Sequence, residues 1–128
     1  MKKALASLLA VAPLVAGCGG DGDANTTPSA YSADATRACL EDAGARIDDD
    51  HVDAVAGRAS GGAYIAILED EKIVNLGFGA DEEEGKALID GYEAVGGDKK
   101  NVYRKRNVAL SWAVDPGGAR STVDNCLK

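Results

Sequence analysis

Two lysines followed by thirteen apolar or small residues, Ala4 to Ala16, decide how much of this chain is left to fold. Only Ser7 and Pro13 interrupt the run, and Gly17 closes it. A positive start, an apolar stretch of about 7–15 residues and a small-residue exit describe an export signal. A bilayer span needs about 20 apolar residues, so this run is too short to be one. Residues 19–32 read GGDGDANTTPSAYS, a composition with too little apolar bulk to offset the entropy of ordering. They predict a flexible linker with a reach of roughly 20 Å. The expected division is therefore a signal over 1–17, a cysteine and linker over 18–32, and a folded domain over 33–128. Under 100 residues of domain supports one small core.

The exit from the apolar run carries a second motif. Leu14-Val15-Ala16-Gly17-Cys18 resembles the lipobox of bacterial lipoproteins. The resemblance implies a diacylglyceryl group on the Cys18 sulfur and cleavage just before that cysteine. It implies an exported protein held by lipid to the cell membrane, facing the extracytoplasmic side. With Cys18 assigned to lipid, Cys39 and Cys126 are left as one pair in an oxidising setting, which predicts a disulfide across the domain. The alternative is two unpaired buried thiols. The lack of CxxC spacing argues against redox or metal roles for the pair.

Charge narrows the partners. The signal contains two of the 14 basic residues and none of the 21 acidic ones, which leaves the mature chain at −9. Nucleic acid is a poor partner for such a chain, because basic patches supply most of that affinity.

Periodicity predicts an α+β domain of order ααββαββα. Ala33 to Arg46 reads as a helix with Ala35, Ala38, Cys39, Leu40 and Ala45 on its packing side. Asp48-Asp49-Asp50 caps a second short helix, with Val52, Val55, Ala56 and Ala59 on its apolar side. Ala63–Leu68 and Lys72–Phe78 form a hairpin around Glu69-Asp70-Glu71. Asp81 to Val95 is a helix: Asp81 and Glu84 have capping-box spacing, and Leu88, Tyr92 and Val95 recur on one face. Val102-Tyr103 and Val108–Val114 make a second hairpin, and Ala119–Leu127 is a last helix. Two hairpins predict about four strands, with helices mainly on one face. Trp112, Tyr64 and Tyr92 read as core. The segment NVALSW (107–112) with a final helix ending in cysteine loosely resembles small exported domains of high-GC bacteria, which implies nothing about activity.

Three groups of residues could bear function. Lys99, Lys100, Tyr103, Arg104, Lys105 and Arg106 gather the basic charge and could meet an acidic partner, a phosphate-bearing polymer or lipid headgroups, although a charged turn that discourages strand pairing has the same composition. Asp48, Asp50, His51 and Asp53 combine carboxylate and imidazole, which suit divalent ions, although a solvated helix start reads the same way. Asp81 to Glu84 could bind a cation weakly, although adjacent acids on a helix point in different directions and a solvated helix start has the same composition. No serine elbow, phosphate loop or dinucleotide fingerprint occurs in the sequence. The expectation is a noncatalytic interaction module without a cofactor, binding a protein or cell-envelope component. The alternative is a small-ligand or divalent-cation-binding lipoprotein, and a carboxylate-dependent enzyme ranks below both.

Overall fold

The computed structural model describes residues 30–128. The signal, the lipobox with Cys18 and the linker up to residue 29 lie outside the described residues. Those described form an α+β domain. Helix α1 spans Ala33–Asp42, and strand β1 comes next at Arg46–Asp48. A 3-10 turn at Ala56–Arg58 leads to β2, Ala63–Ile67. A tight turn at Glu69–Glu71 joins it to β3, Ile73–Phe78. Then come α2 at Glu82–Ala94, β4 at Val102–Lys105, β5 at Val108–Trp112 and α3 at Ala119–Cys126. The five strands form one sheet in the order β1-β2-β3-β5-β4, and every neighbouring pair is antiparallel.

Alternation along the strands sorts the core onto two faces. Tyr64, Ala66, Val74, Leu76, Phe78, Val108, Leu110 and Trp112 point to one side. There they pack with Leu40 of α1, Val123 of α3 and Leu127 just beyond it. The intervening residues point to the other side, where Ala109 meets Leu88 and Tyr92 of α2 and Val55 beside the 3-10 turn. Two helices thus cover one face and the third covers the opposite face. A disulfide joins Cys39 of α1 to Cys126 of α3, with the Cα atoms 5.6 Å apart. It closes 87 residues of chain and crosses only the first face.

Backbone comes close to backbone on the second face. A Cβ on Gly85 of α2 would lie 2.7 Å from the Arg106 carbonyl oxygen, so glycine is what lets the helix reach the β4–β5 turn. Gly77 of β3 plays the same part against Ala56, at 3.1 Å from its Cα.

Several expectations are corrected. Helix α1 stops at Asp42, and Gly44, at φ +96°, turns the chain back. Arg46–Asp48 then pairs with Ile65–Ile67 as a fifth strand rather than extending the helix. The second helix is replaced by an extended segment and the 3-10 turn. There the Asp53 N–H donates to Asn75 Oδ1 (3.0 Å), which ties the segment to β3 before a helix can start. On α1 the buried residues are Thr36 and Leu40, while Ala35 and Ala38 are exposed. Val95 lies past the end of α2 and is 71% exposed rather than packed. The domain also begins earlier than the predicted linker boundary: Ser32 caps α1 by accepting from the Ala35 N–H (3.2 Å), and Tyr31 is packed on the core.

Candidate functional site

The sheet has two ends, and they are built differently. At the end where β2 starts and β3 stops, the chain enters the domain. Asn107 is the second residue of the β4–β5 turn and is fully buried. A buried amide needs partners for its donors and its acceptor, and Asn107 finds them in backbone. Its Oδ1 accepts from the Tyr31 N–H (2.6 Å), and its Nδ2 donates to the Tyr31 carbonyl (3.1 Å) and the Gly79 carbonyl (2.8 Å). The Arg106 guanidinium lies over the Tyr31 ring, 5.2 Å from its centroid. Tyr64 Oη donates to the Ala33 carbonyl (3.0 Å). The incoming segment is therefore clamped at this end by main-chain bonds.

The opposite end carries the turn after β2, the loop from α2 to β4 and the loop from β5 to α3. The first turn places Asp70 and Glu71 at φ 62° and 58°. Tight hairpins favour positive φ at their central residues, and the Leu68 N–H to Lys72 carbonyl bond (2.8 Å) closes the turn. Between this turn and the start of α3 lies a cleft of about 330 Å³ lined by Glu69, Asp70, Lys72, Pro116, Gly117 and Thr122. A second cleft of about 430 Å³ lies on the other side of Pro116 and Gly117, against Asp98, Lys100 and Arg120. Lys72 Nζ donates to the Asp115 carbonyl (2.9 Å) and braces the loop the clefts share. Both volumes fall at the small end of the range for ligand pockets, about 300–1,000 Å³. Val114, in the same loop, is 49% exposed, and Val95 ends α2 at this same end.

The basic residues singled out in the sequence are not brought together as one surface. Lys99 and Lys100 sit in the turn before β4, and Arg104, Lys105 and Arg106 sit at its far end. Arg104 Nη1 donates to the Arg106 carbonyl (2.7 Å) and lies 3.8 Å from Glu82 of α2, so acidic side chains neighbour the hairpin tip. Tyr103 has Arg120 stacked on its ring at 3.8 Å. Its hydroxyl accepts from Trp112 Nε1 (3.1 Å) and donates to Asp124 (3.2 Å), and burial raises its pKa. Trp112 is 3% exposed and belongs to the core, as do Tyr64 and Tyr92.

The acidic candidates divide as well. His51 Nδ1 lies 2.9 Å from Asp48 Oδ2, and the Asp50 N–H donates to Asp48 Oδ1 (2.8 Å). That N–H first, and His51 second, lower the pKa of Asp48, and Asp48 in turn raises that of His51. Asp53 does not join them. Its carboxylate accepts from Tyr92 Oη (2.8 and 3.0 Å) and from the Ala56 N–H (2.7 Å) on the second face of the sheet. Burial first, and the Asp53 bond second, raise the Tyr92 pKa. Among the described residues no group of three or more His, Cys, Asp or Glu side chains is placed to hold a metal ion. Asp53 is thus corrected from a candidate ligand to a structural tie.

Two polar residues do more than their sequence context suggests. Asn107 carries no signal there beyond its place in a polar turn. Glu84 has capping spacing, yet its carboxylate does more than cap. It accepts from the Ala80 N–H (2.7 Å), the Ser60 N–H (2.7 Å) and the Ser60 hydroxyl, and these bonds, Ala80 first, lower its pKa. Among the described residues no helix is long and apolar enough to cross a membrane. Compared with protein-family models, curated proteins and solved structures, the chain has no match in any of the three.

Proposed function

We propose that the protein is an exported lipoprotein, anchored through lipid on Cys18, whose single domain is a noncatalytic binding module for a component of the cell envelope. The observation that supports this most directly is the pairing of the cysteines. Cys39 and Cys126 are joined within the domain, so Cys18 is the odd thiol, and it stands at the end of the lipobox-like segment LVAGC. Two acyl chains on one residue give stable residence where one alone is marginal. A domain held in that way needs no lipid affinity of its own, which suits its acidic charge.

A binding role is supported by how the polar groups are used. Asp53, Tyr92, Glu84, Asn107 and Tyr103 all spend their hydrogen bonds on the fold. The clefts beside Pro116 are small, open to solvent and bordered by charged side chains, which suits a contact surface more than an enclosed reaction site.

Detergent-phase partitioning of the expressed full chain tests the anchor. The wild type is expected in the detergent phase with an N-terminal peptide whose mass includes acyl chains. Cys18→Ser is expected to stay uncleaved at that site and to yield no acylated N-terminal peptide. An acylated N-terminal peptide from Cys18→Ser, or an unmodified Cys18 in the wild type, would overturn the proposal.

A further inference from the structure

Five strands, each antiparallel to its neighbours, make an odd-numbered sheet, so the two edge strands, β1 and β4, run in the same direction. Main-chain groups point alternately to the two sides of a strand. Just before β4 the Trp112 N–H donates to the Asn101 carbonyl (2.9 Å), so Asn101, Tyr103 and Lys105 turn toward β5. That leaves the Arg104 N–H and the Val102 and Arg104 carbonyls on the open edge, while the Val102 N–H donates to the Asp98 carbonyl (3.0 Å). On β2 the even-numbered residues turn toward β3, as the bonds from the Leu68 N–H to the Lys72 carbonyl and from the Phe78 N–H to the Gly62 carbonyl require. Ile65 and Ile67 therefore turn to Asp48 and Arg46, and Ile47 directs its N–H and carbonyl outward. A groove of about 640 Å³ adjoins this strand, lined by Ile47, Asp48, Asp49, Asp50 and Ile67 among others.

We infer that a second copy of this chain extends the sheet, its β1 lying parallel to β4 of the first. An unpaired strand edge is a template for such addition. One register uses the open groups: the Ile47 N–H donates to the Val102 carbonyl, and the Arg104 N–H donates to the Ile47 carbonyl. It sets Ile47 beside Tyr103, both of which pack on the core of the α1/α3 face. It also sets Asp48 beside Arg104 and Asp49 beside Lys105, while Arg46, held by Glu71 (3.2 Å), falls beside the uncharged Val102. Opposite charges across strands stabilise a pair, and like charges destabilise it. Pairing β4 with itself would oppose Arg104 to Arg104. Pairing β1 with itself would set Arg46 opposite Asp48 but bring together two grooves, each lined by Glu41, Asp49 and Asp50. Asp49 is shared with Arg37 (2.6 Å) and Arg104 with Glu82 (3.8 Å), which keeps the contact weak in dilute solution. A contact between two different edges does not close on itself and repeats as an open row. Because β1 and β4 run the same way, every copy in the row keeps its α1/α3 face on one side and its Tyr31 on one border. Such a row suits the anchoring proposed above without depending on it.

The test is zero-length carbodiimide crosslinking of the full chain at high concentration in detergent. Four strand spacings, about 19 Å, separate Asp49 from Lys105 within one copy, so an amide between them forms only between copies. That link is expected in the digested product, together with a ladder of dimers, trimers and larger species on a denaturing gel. Asp48→Arg and Arg104→Asp are each expected to weaken the ladder several-fold. The double variant is expected to recover it, because each copy then carries both reversed charges. Absence of the Lys105–Asp49 link in the wild type, or links from Lys105 only to carboxylates away from β1, would overturn the proposal. So would a ladder that stops at the dimer, which is the outcome of β1 pairing with itself, or a double variant that stays monomeric. Failure of the anchor is read separately, since a chain without lipid is expected to give the same link.

Discussion

The two faces of the sheet are held by different means. The α1/α3 face buries Phe78, Leu76, Leu110, Val74, Val108 and Leu40 completely and carries the only covalent cross-link among the described residues. The α2 face buries little apolar bulk. It is closed by glycines that let backbones touch and by a few charged hydrogen bonds: Tyr92 to Asp53, the Ala56 N–H to Asp53, and Ser60 and the Ala80 N–H to Glu84. Burial is nondirectional and tolerates small shifts. A hydrogen bond fixes geometry and penalises the loss of one partner. The first face therefore supplies stability and the second supplies register, holding the 3-10 turn, β3 and α2 in one arrangement.

The largest effect should come from the first face. Replacing Cys39 and Cys126 together by Ser releases a loop closed over 87 residues. The expected loss is about 4–5 kcal/mol in the chain-entropy model, comparable to the whole stability of a small domain. Urea unfolding of wild type and variant, followed by Trp112 fluorescence, measures it; a loss under about 1 kcal/mol would remove the disulfide as the dominant element of that face.

Tyr92→Phe comes next. It takes the hydroxyl from a half-buried carboxylate and leaves Asp53 with backbone partners only. A hydrogen bond to a charged group contributes about 1.5–3 kcal/mol. If the second face sets register, hydrogen exchange should also accelerate at Ala56–Arg58 and in α2 while the β2–β3 hairpin stays protected. Uniform acceleration would show that the two faces are not separable.

The smallest effect is a pH dependence. The Glu84 carboxyl is held below its ordinary value by the Ala80 N–H and by Ser60. A carboxylate with a depressed folded pKa contributes stability that is fully present above the unfolded value and is lost as pH falls through the folded one. Melting temperature should therefore drop on acidification below the ordinary Glu range, and drop less in Glu84→Gln. Identical acid profiles for the two proteins would contradict a role for this carboxylate.

The sequence is most legible where structure is local. Helix α2 is readable from Asp81, whose side chain does accept from the Glu84 N–H (2.9 Å), and from Leu88 and Tyr92 four residues apart. The β2–β3 hairpin is readable from AYIAIL and the alternation of Lys72 to Phe78. Strand β1 is not, because Arg46-Ile47-Asp48 is three residues long with only Ile47 favouring a strand, and it is set by pairing with Ile65–Ile67. The missing second helix has the same cause. Val52, Val55, Ala56 and Ala59 have helical spacing, but Asn75 captures the Asp53 N–H from a distant strand. The surface is the least legible part. Lys99 to Arg106 look like one cluster in sequence, and β4 separates them toward opposite ends.

The clamp on Tyr31 has a mechanical consequence. A pull on the chain upstream of it does not peel α1 from its first turn; it is delivered through two main-chain bonds into Asn107, at the mouth of the central hairpin. Should that grip fail, the segment can unravel only as far as Cys39, where the bond to Cys126 stops it. The chain from Tyr31 to Cys39 sets the slack at about 28 Å when fully extended, after which force falls on a covalent bond to α3.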